Sequence, residues 1–226
     1  MQALFFGSIG SVIETSELQR GAFNAAFAEH GLDWHWDQET YRTMLAPSGG
    51  KARIRQYAIT KGDSVNAEAI HATKSDIFAK TLAIQAPAPR PGVIESLNVA
   101  REMGLKTAFV TTTLPETINT VLDAHAGALR GLFDTVTSTE NVFRQKPAPE
   151  AYMRTCAALD VDPALTLAVE DNQAGITAAY KAGCEVIAFL GANTQHHDAS
   201  HAHHQAGEDI FASVLGALSV QDRDAS

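Results

Sequence analysis

The chain has 226 residues, 45% of them hydrophobic and 19% charged, proportions of a soluble globular protein with room for one core and a small companion domain. A formal net charge of -9 argues against nucleic acid and anionic membranes as partners, because no basic face answers a phosphate field. Two cysteines, Cys156 and Cys184, are too few for a disulfide framework, and with no transmembrane-length apolar run and no basic leader the expected location is a reducing cytoplasm.

In chain order, the apolar strand Leu4-Phe5-Phe6 runs into a turn of small residues, Gly7-Ser8-Ile9-Gly10-Ser11. From about residue 15 to 85 the pattern is helix after helix. Leu18, Ala22, Phe23, Ala26 and Phe27 repeat at helical spacing up to Gly31, a C-terminal glycine. A short helical piece over Tyr41–Leu45 ends at Ala46-Pro47-Ser48-Gly49-Gly50, and further helices cover roughly 51–60 and 65–84. The proline-rich run Ala86–Gly92 then reads as a stiff connector. Beyond it helices and strands alternate. Helices are expected at 93–103, from Pro115 through Leu122, at 150–159 and at 174–182, with strands at 106–110, 133–137, 165–169 and 185–189. An amphipathic stretch from Ile210 to Leu215 follows near the end.

Strands spaced by helices of this length imply parallel pairing with right-handed crossovers, a doubly wound α/β sheet. The helical block between the first strand and the rest is then an inserted domain. We expect a Rossmann-like core of residues 1–14 and 88–226 and an all-helical cap of residues 15–87. Ligands in such sheets bind beyond the carboxyl ends of the strands, which singles out Gly7–Ser11, Thr111–Thr113, Lys146 and Glu170-Asp171. Thr111 and Thr112 can hydrogen-bond a phosphate, Lys146 can neutralise it, and Glu170 with Asp171 offers carboxylates to Mg²⁺.

These stretches, in this order, resemble the haloacid dehalogenase superfamily, in its subgroup with a helical cap inserted after the first motif. Phe109-Val110-Thr111-Thr112-Thr113 stands as its second motif, Gln145-Lys146-Pro147 as its third, and Val169-Glu170-Asp171-Asn172-Gln173-Ala174-Gly175 as its fourth. The cap segments Leu32–Asp37 and Ser48–Arg53 look most like the CbbY-type sugar bisphosphate phosphatases, relatives of β-phosphoglucomutase. The resemblance implies that Gly49, Gly50, Lys51 and Arg53 contact the distal phosphate of a sugar bisphosphate; as bare sequence, Lys51 and Arg53 read equally well as solvated helix charges. Ala52 departs from the family, which usually has an acid there.

The larger departure is in the first motif, where the family has Asp-x-Asp-Gly-Thr/Val. Its first Asp attacks phosphorus and ligates Mg²⁺, and its second moves the proton. Here Gly7 stands in the nucleophile position and Ile9 in the acid/base position. Alternation along an extended segment turns Ser8 away from both vacancies, and Glu14 lies too far along to attack in line. Mg²⁺ binding is expected to be weakened, because Glu170 and Asp171 remain as the only expected carboxylate ligands. The expected function is therefore a catalytically impaired homologue, a pseudoenzyme that binds a phosphorylated small molecule such as a sugar phosphate. An active Mg²⁺-dependent phosphatase with a rewired site and a partner-binding structural module are the alternatives. The segment from His196 to His204 would place His197, His201 and His204 on one face if helical, a metal-ligand pattern; a surface loop before the last helix is the reading we favour.

Overall fold

The runs Ala3-Leu4-Phe5-Phe6 and Thr166-Leu167-Ala168-Val169-Glu170 leave neither face polar, which suits burial on both sides of a parallel sheet. The computed structural model describes residues 1–45 and 49–224, with side chains through 219, and sets these runs side by side at the centre of a six-stranded sheet. β1 (Ala3–Phe6) pairs with β2 (Lys106–Phe109), and β3 (Thr135–Val136) lies outside β2. On the other side follow β4 (Thr166–Glu170), β5 (Glu185–Ala188) and β6 (His204–Gln205). Every pairing is parallel and the order is β3-β2-β1-β4-β5-β6, the expected doubly wound arrangement.

Alternation along the strands divides the core in two. Leu4, Phe6, Phe109, Leu167, Val169 and Ile187 face one apolar layer; Phe5, Ala108, Ala168, Val186 and Ala188 face the other. The helices α6 (Val93–Glu102), α7 (Pro115–Gly127), α8 (Glu150–Leu159), α9 (Gln173–Ala182) and α10 (Phe211–Asp224) cover the two faces. After β1 comes one short turn of helix, α1 (Ile9–Val12), and then the cap of α2 (Ser16–Glu29), α3 (Gln38–Thr43), α4 (Gly50–Lys61) and α5 (Ala67–Gln85). The cap has an apolar cluster of its own, with Trp36 fully buried among Phe23, Phe27 and Tyr41. Ala22, Phe78 and Leu82 instead join the core's first layer and tie the cap down onto it.

One expectation needs correction, and two others gain detail. The strand expected over 133–137 is reduced to two residues. α7 is helical from Pro115 through the expected Leu122 and breaks its helical geometry beyond it, at Ala124, His125 and Ala126. The His-rich segment is not a helix; it is a series of turns leading into β6, whose register pairs His204 with Ile187. His203 Nδ1 accepts from the Val186 N–H at 3.0 Å and His204 meets Glu185 at 2.6 Å, so these imidazoles secure an edge strand and share no helical face. The expected turn at Ala46–Ser48 lies outside the described residues.

The cap's aromatic cluster yields a stability test. Trp36→Ala should lower unfolding stability by about 3–5 kcal/mol, because a large buried ring leaves a cavity that its neighbours fill only partly. Ile59→Ala, at an exposed position of α4, should stay within about 0.5 kcal/mol. Urea denaturation of the two variants checks the contrast.

Candidate functional site

The carboxyl ends of β1, β2 and β4 bring Gly7, Val110 and Glu170 together, and α8 approaches from below with Lys146 just ahead of it and Tyr152 in its first turns. Lys146 Nζ donates to Glu170 Oε1 at 2.6 Å, to the Gly7 carbonyl at 2.8 Å and to the Val110 carbonyl at 2.7 Å. Tyr152 donates its hydroxyl to the same Glu170 Oε1 at 2.6 Å. Glu170 is 0% exposed and Lys146 7%. Burial pushes the Glu170 carboxyl above its usual pKa, against the pull of the Lys146 ammonium.

Gly7 explains why Glu170 can lie there. A Cβ built on Gly7 would overlap the Glu170 carboxyl and the Tyr152 hydroxyl, and one built on Gly175 would overlap the same carboxyl from the far side. The glutamate thus fills the space that a side chain at position 7 would need. Ser8 also departs from expectation. Its hydroxyl donates to Asp171 Oδ1 and reaches Glu170 Oε2 at 3.2 Å, because Glu170 turns back across the loop and spans both residues. Ile9 sits at the start of α1, 7% exposed, with one side in the core and the other on the cavity.

Above this floor a cavity of about 310 Å³ separates core from cap, and a second lobe of about 610 Å³ shares Ile9, Gln19, His71, Lys74 and Thr113 with it. The core wall carries Ser8, Asp171, Asn172 and His197; the cap wall carries Tyr41, Gly49, Gly50, Arg53, His71 and Lys74. Lys51, exposed on α4, borders the second lobe with Thr112. Thr111 is buried, its hydroxyl donating to Thr113 at 2.9 Å, and Thr113 is the member of that trio facing both lobes. Of the expected phosphate ligands, then, Thr112 borders the open space, while Thr111 and Lys146 lie beneath it.

The cap wall is the basic one. Burial brings Lys74 down to a pKa of about 7, with Arg53 adding repulsion; its amine bonds the Gln19 amide oxygen and lies 4.9 Å from the ring centres of Phe23 and Phe78. His71 is held at about 4, by burial first and then by the charges of Lys74, Lys51 and Arg53. Arg53 donates from Nε to the Met44 carbonyl at 2.8 Å and lies 5.6 Å from the Tyr41 ring centre.

Magnesium is what the resemblance implies, so the donor set decides whether the site suits it. Gly7 brings no side-chain oxygen, and Glu170 is spent on Lys146 and Tyr152. Of the carboxylates lining the cavity, Asp171 stands at the end of β4, while Glu14, on the cap side, is taken up by Ser16 and the Ala192 N–H. Among the described residues no three His, Cys, Asp or Glu side chains converge as a metal site. A hard cation that prefers several oxygen donors does not fit this arrangement.

A family model for haloacid dehalogenase-like hydrolases matches residues 10–189. The chain belongs to that family. The resemblance drawn from its motif order therefore holds, although Gly7 and Ile9 lie just outside the matched stretch. Protein CbbY of Cereibacter sphaeroides is 35% identical over 226 residues, covering 98% of this chain and 97% of that protein. A crystal structure of a CbbY point mutant from Rhodobacter sphaeroides, in complex with xylulose-1,5-bisphosphate, aligns with a TM-score of 0.81 at 31% identity over 91% of this chain and 94% of that one. β-Phosphoglucomutase from Clostridium difficile shares the fold, with a TM-score of 0.76 at 17% identity over 97% and 99% of the two chains. No described helix is long and apolar enough to cross a membrane.

Sequence reading missed Lys74, His71, Gln19 and Tyr152. Lys74 left a signal: Ile70, Lys74, Phe78 and Leu82 recur every four residues, so a lysine stands in the buried stripe of α5. Tyr152 left none, being one more aromatic on an amphipathic helix.

The buried pair is testable through its asymmetry. Lys146→Met should cost about 3–5 kcal/mol, since it strands a buried carboxylate, and adding Glu170→Gln should recover most of that loss. A carboxyl whose folded pKa is raised contributes stability below its ordinary value and loses it as pH rises through the raised one. Lys146→Met should accordingly show stability falling with pH more steeply above about pH 4.5 than the parent, which denaturation from pH 4 to 8 would reveal.

Proposed function

We propose that this haloacid dehalogenase-like chain binds a phosphorylated sugar between cap and core and does not turn it over by the family's aspartate route. One observation carries the reading: at the floor of the site, a lysine-held glutamate occupies the space beside Gly7 where a nucleophile would stand. Two aspartates would have supplied covalent capture and proton transfer, and a glycine and an isoleucine supply neither. General acid–base assistance alone is typically worth about 10²–10⁴-fold in rate.

Binding is supported by the division of charge. A phosphate at the core end competes with Glu170 for Lys146 and faces Asp171. At the cap end it meets Lys74, whose present partner is the neutral Gln19 amide, together with Arg53 and, from the second lobe, Lys51. The phosphate is anchored at the cap end, and the sugar extends toward Asp171. The related CbbY crystallised with a sugar bisphosphate makes that ligand class the first to try. Mg²⁺ is not required, because the anchoring charges belong to the protein.

The test pairs the parent with Gly7→Asp/Ile9→Asp on a panel of sugar mono- and bisphosphates with Mg²⁺, following both ligand binding and phosphate release. The parent should bind without release. The double replacement, by forcing Glu170 aside and restoring two carboxylates, should gain Mg²⁺-dependent release. Rapid release by the parent would establish an active phosphatase instead, and absence of binding by both would point to a partner-binding module.

Lys74 adds a second signature. With its amine near pKa 7 in the free protein, an adjacent phosphate raises that value, so binding at about pH 8 should take up a proton. Calorimetry in buffers of different ionisation enthalpy reads the uptake, and Lys74→Met should abolish it.

A further inference from the structure

His197 is buried, 8% exposed, yet lines the cavity on the core wall. Its Nδ1 accepts from the Gln173 N–H at the start of α9, 3.3 Å away, which places the ring proton on Nε2. That Nε2 has no hydrogen-bond partner among the described residues, and the His196 ring packs edge-on 4.8 Å from the imidazole. A buried donor without an acceptor is unusual, and it is a reason to look for a ligand atom.

Asp171, two residues before Gln173, shares the same wall. Its Oδ1 accepts from Ser8 and from Asn172 Nδ2, the latter at 2.6 Å, while Oδ2 lies over Gly10, where a Cβ would overlap it. Thr194 Oγ1 donates to the Asp171 carbonyl at 2.6 Å and ties the loop that carries His197 to the end of β4. On this part of the core wall the cavity thus meets a donor, His197 Nε2–H, and an anionic acceptor, Asp171 Oδ2. A phosphate oxygen satisfies the donor but meets the carboxylate's charge. A hydroxyl satisfies both, accepting from one and donating to the other.

We propose that His197 and Asp171 form a hydroxyl-recognition subsite that selects polyhydroxylated phosphates over simple ones. The inference rests on the binding function proposed above and names the part of the ligand that the core wall reads. His197 acts here as a specificity-determining residue.

Two replacements separate the ring's two nitrogens. His197→Asn keeps an acceptor for the Gln173 N–H but reaches no further, and His197→Gln carries a donor to the Nε2 position. Titrations would use glucose 6-phosphate and fructose 1,6-bisphosphate as polyhydroxylated probes, with butyl phosphate and inorganic phosphate as probes lacking a sugar. His197→Asn should weaken the sugar phosphates by about 5–10-fold and leave the other two within about twofold, the effect of one hydrogen bond. His197→Gln should restore most of the lost affinity. Equal weakening of all four probes, or none, would overturn the subsite while leaving the binding function intact. A parent that binds no probe would sink both.

Discussion

A lysine ammonium and a glutamate carboxylate in contact beneath the sheet's carboxyl edge set the character of this site. Two charges taken out of water are tolerated only where each finds enough partners. Lys146 donates to Glu170 and to the carbonyls of Gly7 and Val110, and Tyr152 completes the carboxylate's shell. The arrangement exists because position 7 has no side chain. An aspartate there would compete for the same volume and bring a second negative charge, which a lysine alone would not balance. With glycine, the neighbouring carboxylate fills the gap and the lysine neutralises it from within the protein. The poor fit of the donor set to magnesium and the missing side chain at position 7 are therefore one fact seen twice.

Neutralising the floor moves the working charge to the cap. Lys74 lies between two aromatic rings and bonds a neutral amide, so its ammonium form is poorly solvated and held down in pKa. An anion entering the cavity supplies what that environment lacks. The cap wall is kept facing the core by the loop after β5. Asn193 is fully buried there, donates to Glu17 at 2.6 Å and accepts from Arg42 at 2.9 Å, while the Ala192 N–H donates to Glu14 at 3.0 Å. Core and cap meet through polar bonds on this side and through Phe78 and Leu82 on the other. The wall that holds the charges is thus placed by both.

Much of this was legible before the structure. Apolar strands such as Ala3–Phe6, with helices between them, imply a parallel sheet because only burial on both faces accounts for them. The loss at Gly7 and Ile9 was readable because motif order fixes which loop ends β1. What the sequence concealed is where side chains go once a residue is missing. Nothing in a linear reading says that Glu170 turns inward, that Ser8 is thereby drawn to Asp171, or that Thr111 is spent on Thr113. The histidine run was legible as a loop and not as the approach to an edge strand, because the pairing of His203 and His204 with β5 depends on a neighbour 17 to 19 residues away.

Gly7 and Ile9 are not equivalent losses. The glycine changes the electrostatics of the floor; the isoleucine changes its wetness. Ile9 belongs to the core's apolar layer and also faces both lobes of the cavity, so it sets hydrocarbon where a proton-transferring carboxylate would hold water. Hydrolysis by an unaided water needs a base to orient it. Among the described residues the main cavity is lined by two carboxylates: Glu14 is bonded to Ser16 and the Ala192 N–H, and Asp171 accepts from Ser8 and Asn172 through Oδ1. On the function proposed above, a floor neutralised beneath and apolar at Ile9 would bring no attacking group to a bound phosphate ester. If the chain binds as proposed, the two substitutions serve one end, and they read better together, as a change from turnover to binding, than either does alone.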